Sequence, residues 1–157
     1  MKKIILSIAA TAIAALALAI VLASLYFHGS LSPVSPRANP GLKTQTIAIG
    51  AAKLSVEVAA TAAEQEQGLS DRPSLAPDDG MIFPMAPPSE PPFWMPRMHF
   101  PLDFIYLNSG RVVELKDDVS NADLTPFAPH EPVDAVLEVN AGYNAAHSIK
   151  VGDAADY

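Results

Sequence analysis

Val133, Ala135, Leu137 and Val139 alternate with Asp134, Val136 and Glu138. Successive side chains of an extended chain point to opposite faces, so this period of two predicts a strand. The pattern recurs at Ile47 and Ile49. It returns at Leu54, Val56 and Val58, interleaved with Ser55, Glu57 and Ala59, after the turn residues Gly50-Ala51-Ala52. A second hairpin joins Leu102–Leu107 to Arg111–Leu115 through Asn108-Ser109-Gly110. The first of these strands is apolar on both faces except at Asp103, which predicts a central position in the sheet. Gly80–Met85 adds a short apolar strand, and the proline-rich run Ala86–Pro92 is expected to leave it as an extended loop. Thr61-Ala62-Ala63-Glu64 fits a capping box, so a short helix is expected from Ala62 to about Gln67, stopped by Gly68. Another short turn or helix is expected between Tyr143 and His147. The predicted fold is mainly β with a minor α part, over residues 44–157. It is a partly closed barrel or two packed sheets, with one or two short helices.

Ahead of that domain, Lys2-Lys3 precedes Ile4–Phe27, 24 uncharged residues interrupted only by Ser7, Thr11 and Ser24. A helix crossing a bilayer needs roughly 20 apolar residues, whereas the apolar core of a cleavable signal spans about 7–15. Length favours an uncleaved anchor over residues 1–27. Small-residue triplets such as Ala15-Leu16-Ala17 keep a cleaved signal peptide open as the alternative. Either way the lysines stay cytoplasmic and the domain lies on the other side of the membrane. Residues 28–43, with Pro33, Pro36 and Pro40, read as an extended linker.

Charge and cysteine usage exclude several classes. The net charge of −7 divides unevenly: Lys2, Lys3 and Arg37 give the first 40 residues +3, and the remainder has 7 basic and 17 acidic residues, or −10. So acidic a domain repels phosphate backbones, and nucleic acid is not an expected partner. There is no cysteine, hence no disulfide, thiol nucleophile or Cys-based zinc site. Phosphate loops, dinucleotide-binding glycine fingerprints and the Gly-x-Ser-x-Gly elbow are also absent. No cofactor is implied.

The stretch Phe93–Asp103 holds the only tryptophan, Trp94, with large apolar side chains and two prolines. Prolines argue against a regular central strand, and the apolar bulk argues against a surface loop. An irregular segment crossing the core is expected. Trp94 with Phe93 can form a stacking platform for a ligand, though core packing is the stronger reading. Asp103, a carboxylate in an apolar strand, must be paired, hydrogen-bonded or raised in pKa. It is expected either to join Arg72 or backbone N–H groups structurally, or to act in a site. Arg72, after the helix end, reads first as a clamp on a buried carboxylate. Asp103 and Glu138, on strands with apolar neighbours, are the candidate catalytic pair should both face one cleft.

Metal readings are weaker. Met81, Met85, Met95 and Met98 offer thioethers suited to Cu(I), but such residues more often fill gaps in a core. His99, His130 and His147 lack zinc-helix spacing. Asp117, Asp118, Asn121 and Asp123 lack the glycine turn and terminal glutamate of a calcium loop.

Gly68-Leu69 with Arg72, Gly80-Met81-Ile82-Phe83, Phe93-Trp94-Met95, Pro101-Leu102-Asp103, Leu137-Glu138, Ala141-Gly142 and Gly152-Asp153 occur in a fixed order. In this the chain resembles the domain-of-unknown-function family numbered 192. The resemblance implies a small β-rich domain, often exported in bacteria, and brings no established activity. The chain departs from the family at Arg97-Met98, where a polar pair is usual, at Ser148 in place of a glycine, and at Ser70 in place of a methionine. These readings lead to an inner-membrane-anchored periplasmic module, or a periplasmic protein released after signal cleavage. It binds a small polar or glycan ligand, or an envelope protein, near Arg72, Trp94, Arg97 and Asp103. An envelope hydrolase using Asp103 and Glu138 is the alternative, and a metal-handling protein the third reading.

Overall fold

The computed structural model describes residues 41–157. The expected anchor and most of the linker lie outside the described residues. Seven strands and two helices follow in the order β1 (Thr44–Ile49), β2 (Ala52–Val58), α1 (Ala62–Gln67), β3 (Asp79–Ser89), β4 (Leu102–Asn108), β5 (Arg111–Val119), β6 (Val133–Asn140), α2 (Tyr143–Ala146) and β7 (Ala155–Asp156). All seven strands join one sheet, ordered β5-β4-β6-β3-β2-β1-β7. The architecture is a mainly β half-barrel with two short helices, a single sheet rather than two packed ones.

Both predicted hairpins form. Ile47 pairs with Leu54 and Ile49 with Ala52, and Gly50 takes a φ of 56° at the first turn position. At the β4–β5 turn Ser109 (φ 52°) and Gly110 (φ 72°) both enter the left-handed region. A two-residue turn with two positive φ values matches the twist of its flanking strands. β2 and β3 are parallel, which requires a crossover, and α1 lies within it. The capping box forms as expected. Glu64 N donates to Thr61 Oγ1 at 3.3 Å, and Thr61 N donates to Glu64 Oε2 at 2.8 Å.

The C-terminal segment links the two edges of the sheet. Ala155 and Asp156 pair with β1, while Val112 N donates to Asp153 O (3.0 Å) and Gly152 N to Val112 O (2.8 Å) on the β5 side. Backbone groups at one end of each strand, Ala48–Ile49 on β1 and Arg111–Val112 on β5, are thereby used.

Two buried layers lie on the two sides of the sheet. One contains Ile47, Leu54, Val56, Ile82, Ile105, Leu107, Leu137, Val139 and Tyr143. The other contains Met81, Phe83, Leu102, Phe104, Tyr106 and Val136, with Leu69 and Met95 packed over them. Alternation along β4 and β6 assigns neighbours to opposite layers, and β4 is buried from Leu102 to Leu107 as its sequence predicts. An aromatic chain pins the irregular segment onto the second layer. Phe83 to Phe93 is 5.4 Å between ring centroids, Phe93 to Phe104 is 5.5 Å, and Phe104 to Phe127 is 4.9 Å, all edge-on, the arrangement favoured by ring quadrupoles.

Two element lengths differ from expectation. β3 continues to Ser89 through Pro84, Pro87 and Pro88; its ladder with β6 shifts register between Pro84 and Ser89, where donors are missing. β5 continues to Val119 because it carries a bulge: Leu102 faces Val119, and Phe104 faces Lys116, leaving one extra residue on β5.

Candidate functional site

The cleft on the second layer is assembled from five stretches of chain. The end of α1 and the turn Gly68–Ser70 form one wall. Phe83, Met85, Pro91–Pro96 and Met98 form the other, and the buried Leu102 and Glu138 lie at its base. Gly68 has φ 49°, so the chain reverses directly after the helix and brings Leu69 into the core. The lip is tied by one side-chain and one backbone donor: Ser70 Oγ donates to Pro96 O at 3.0 Å, and Asp71 N to Arg97 O at 3.0 Å. The cavity volume is about 230 Å³.

Glu138 is 7% exposed and, among the described residues, has neither a hydrogen-bond nor an ion-pair partner. Burial pushes its carboxyl up to about 8, and the opposing pull of the Arg72 guanidinium is weaker. The side chain is therefore chiefly a neutral acid at pH 7. Ladder registers explain its setting. Glu57 is level with Met81, Met81 with Glu138, and Glu138 with Phe104, so all four project from one face of the sheet. Two strand spacings put the Glu57 and Glu138 backbones roughly 10 Å apart.

Arg72 is 1% exposed and lies over Glu57. Its Nη1 donates to Glu57 Oε1 at 3.1 Å, and its Nη2 to Glu57 Oε2 at 2.6 Å. The clamp anticipated for Arg72 is real, and its carboxylate is Glu57. Arg72 Nε is buried without a partner among the described residues. Sequence reasoning missed Glu57 because it occupies the polar phase of an alternating strand. A usable signal was Ala59, an apolar residue ending that phase; Ala59 is fully buried.

Asp103 stands elsewhere. It is level with Val139, and Phe104 with Glu138, so Asp103 and Glu138 point to opposite faces of the sheet. The proposed catalytic pairing of these two carboxylates fails on that geometry. Asp103 is wholly buried. Its Oδ1 accepts from Asp118 N at 2.9 Å and its Oδ2 from Asn144 N at 3.0 Å. One bond holds the β5 bulge, where Asp118 has φ 52°. The other serves the first turn of α2, whose N-cap, Gly142, has no side chain to do so. Asp103 is thus a structural acceptor and not a ligand group, and Arg72 is likewise occupied by Glu57.

Trp94 lines the cleft and is 47% exposed, so the core-packing reading gives way to an accessible indole. Arg97, at φ 56°, lies next to the wall segment but turns to Asp71, with Nε 3.2 and 3.0 Å from the two carboxylate oxygens. This pair is exposed and screened by water. Of the four expected binding residues, the structure brings only Trp94 to the cleft wall. Met85, Met95 and Met98 also line it, and Met81 belongs to the same layer. Among the described residues no three His, Asp or Glu side chains converge on a metal position. Asp117 accepts from Asn144 Nδ2 at 2.7 Å, and Asp123 Oδ1 accepts from Thr125 N at 2.9 Å.

Comparison with known proteins agrees with this architecture. No curated protein matches the chain. A protein of unknown function from Novosphingobium aromaticivorans is 33% identical, with a TM-score of 0.72, over 80% of this chain and 95% of that one. A candidate transcription regulator from Sinorhizobium meliloti is 27% identical, with a TM-score of 0.71, over 76% of this chain and 97% of that one. Residues 44–157 match the profile of domain-of-unknown-function family 192, described as an uncharacterized ACR. The chain belongs to that family.

Proposed function

We propose that this protein is a membrane-anchored binding module of the bacterial envelope, whose ligand site is the Trp94–Glu138 cleft. The observation that carries the reading is a buried carboxyl that has no hydrogen-bond or ion-pair partner among the described residues and lines a largely apolar cleft. Such a group is costly to retain in a core, and convergent polar atoms in an apolar concavity are the usual composition of a small-molecule site. Ile4–Phe27 and the proline-containing linker supply the anchor and spacer of the proposal. Apolar walls favour a compact ligand with an apolar body over a polyhydroxylated glycan. Glu138 has no second free carboxylate beside it to share acid–base work, since Arg72 holds Glu57, so binding is favoured over hydrolysis. The regulator assignment of the Sinorhizobium protein is not carried over, because residues 41–157, at −10, repel nucleic acid.

Trp94 is the only tryptophan, so the intrinsic fluorescence of the full chain in detergent reports the cleft wall directly. Titration with matched neutral, anionic and cationic six-carbon ligands should give a saturable emission change for at least one of them. A parallel rise in melting temperature should accompany it. No saturable change with any of the three would refute the site.

A further inference from the structure

The cleft has a chemical polarity that narrows its ligand. Among the described residues its ionisable lining residues are Glu66 and Glu138, both acidic, and no Lys, Arg or His lines it. Glu138 makes no direct ion pair among the described residues: Arg72, whose charge acts on it only against the stronger effect of burial, places both terminal nitrogens on Glu57. The same cleft is lined by aromatic rings and thioethers, Trp94, Phe93, Met85 and Met98 among them. Aromatic faces attract cations as well as apolar surface.

We propose that the cleft binds a small organic cation, an alkyl- or aralkylammonium group, with its nitrogen on the Glu138 carboxylate and its apolar body against Trp94. The inference rests on the cleft being a ligand site, and it adds the ligand's class. An ammonium group brings the charge and the N–H donors that Glu138 lacks. A cavity volume of about 230 Å³ leaves room for a small organic body, since one water needs only about 10–15 Å³ of such space.

The rival ligand is a neutral molecule that accepts a hydrogen bond from protonated Glu138. The two classes respond oppositely to pH. Burial keeps the proton on Glu138 up to about pH 8, so an ammonium ligand must displace it. Its apparent affinity should rise about tenfold per pH unit from 6 to 8, then level off until the amine loses its own proton near pH 10. A neutral acceptor should lose affinity above pH 8. The other ionisable groups facing Glu138 are the Arg72–Glu57 pair, Tyr106 on β4 and Glu66 on α1. Burial raises the Tyr106 phenol beyond this window.

The test titrates the full chain with hexylammonium, 1-hexanol and hexanoate at pH 6, 7, 8 and 9, reading Trp94 emission. Calorimetry in buffers of different ionisation enthalpy counts protons. Hexylammonium is expected to bind with the rising profile and to release close to one proton at pH 6.5. E138Q should lose at least tenfold in affinity for it and show no pH dependence. Binding of 1-hexanol alone, weakening above pH 8, overturns the cation assignment and leaves the site standing. Hexylammonium binding equally well to E138Q, without pH dependence, overturns Glu138 as the counter-ion. No response to any ligand overturns both this inference and the site.

Discussion

Replacing Glu138 by Gln should change how stability depends on pH more than it changes stability at any single pH. The native carboxyl is raised from 4.5 to about 8, and each unit corresponds to about 1.36 kcal/mol. The full difference is therefore about 5 kcal/mol between acid and alkaline limits. The native state binds the proton more tightly than the unfolded chain does. The stabilisation due to Glu138 is thus fully present below pH 4.5 and is lost as pH rises to about 8. Between pH 4.5 and 7 the loss amounts to about 3 kcal/mol. Glutamine cannot ionise, so its own burial adds only a constant offset. Urea unfolding of both proteins, followed through Trp94 at pH 5, 6, 7, 8 and 9, gives the difference directly, provided the slopes agree. Glu64, Asp71, Asp123 and Asp153 have lowered pKa values, but they titrate identically in both proteins and cancel. The wild type should lose stability against E138Q steadily from pH 5 to pH 8. Parallel curves would mean that Glu138 ionises as it would in water, and the reasoning about its burial would be wrong.

Three further substitutions probe the framework. Arg72→Met removes the cation from a buried carboxylate and should cost about 3–5 kcal/mol in urea unfolding. Most of that should return in the double variant with Glu57→Gln, and a single-variant cost near zero would show that the ion pair is not structural. Asp103→Ala strands the Asp118 and Asn144 amides and should cost about 2–5 kcal/mol, with faster hydrogen exchange at those two amides; unchanged exchange would refute the bonds. Gly80→Ala places a Cβ 2.8 Å from the backbone oxygen of Glu138. That contact should separate β3 from β6 at a cost of about 1–3 kcal/mol, with amide shifts at Glu138 on the cleft floor; a variant as stable as the parent would contradict the close packing.

Local signals in the sequence carried much of this fold. Both hairpins, the capped helix α1, the stop at Gly68 and the two-sided burial of β4 follow from residue types at fixed spacing. These elements form wherever local chemistry and tertiary packing agree. The site was less legible because it depends on which neighbours lie level across strands. Asp103 and Glu138 each look like a polar residue in an apolar strand. Only the β4–β6 register reveals that one faces the backbone of α2 and the other the cleft. Glu57 looked solvated because its strand alternates, yet its face of the sheet is covered by chain distant in sequence. Trp94 looked like core because of its size, and its neighbour Met95, 1% exposed, takes that place instead.

A carbon-detected NMR titration of the Glu138 side-chain carboxyl, assigned by loss of its signal in E138Q, addresses the cleft at its base. The expected midpoint is about 8 in the free protein, falling by at least one unit when hexylammonium is added in excess. A midpoint near the ordinary 4.5, unmoved by ligand, would mean a hydrated carboxylate in place of a buried acid awaiting a partner, and would contradict the assignment of the cleft as a site.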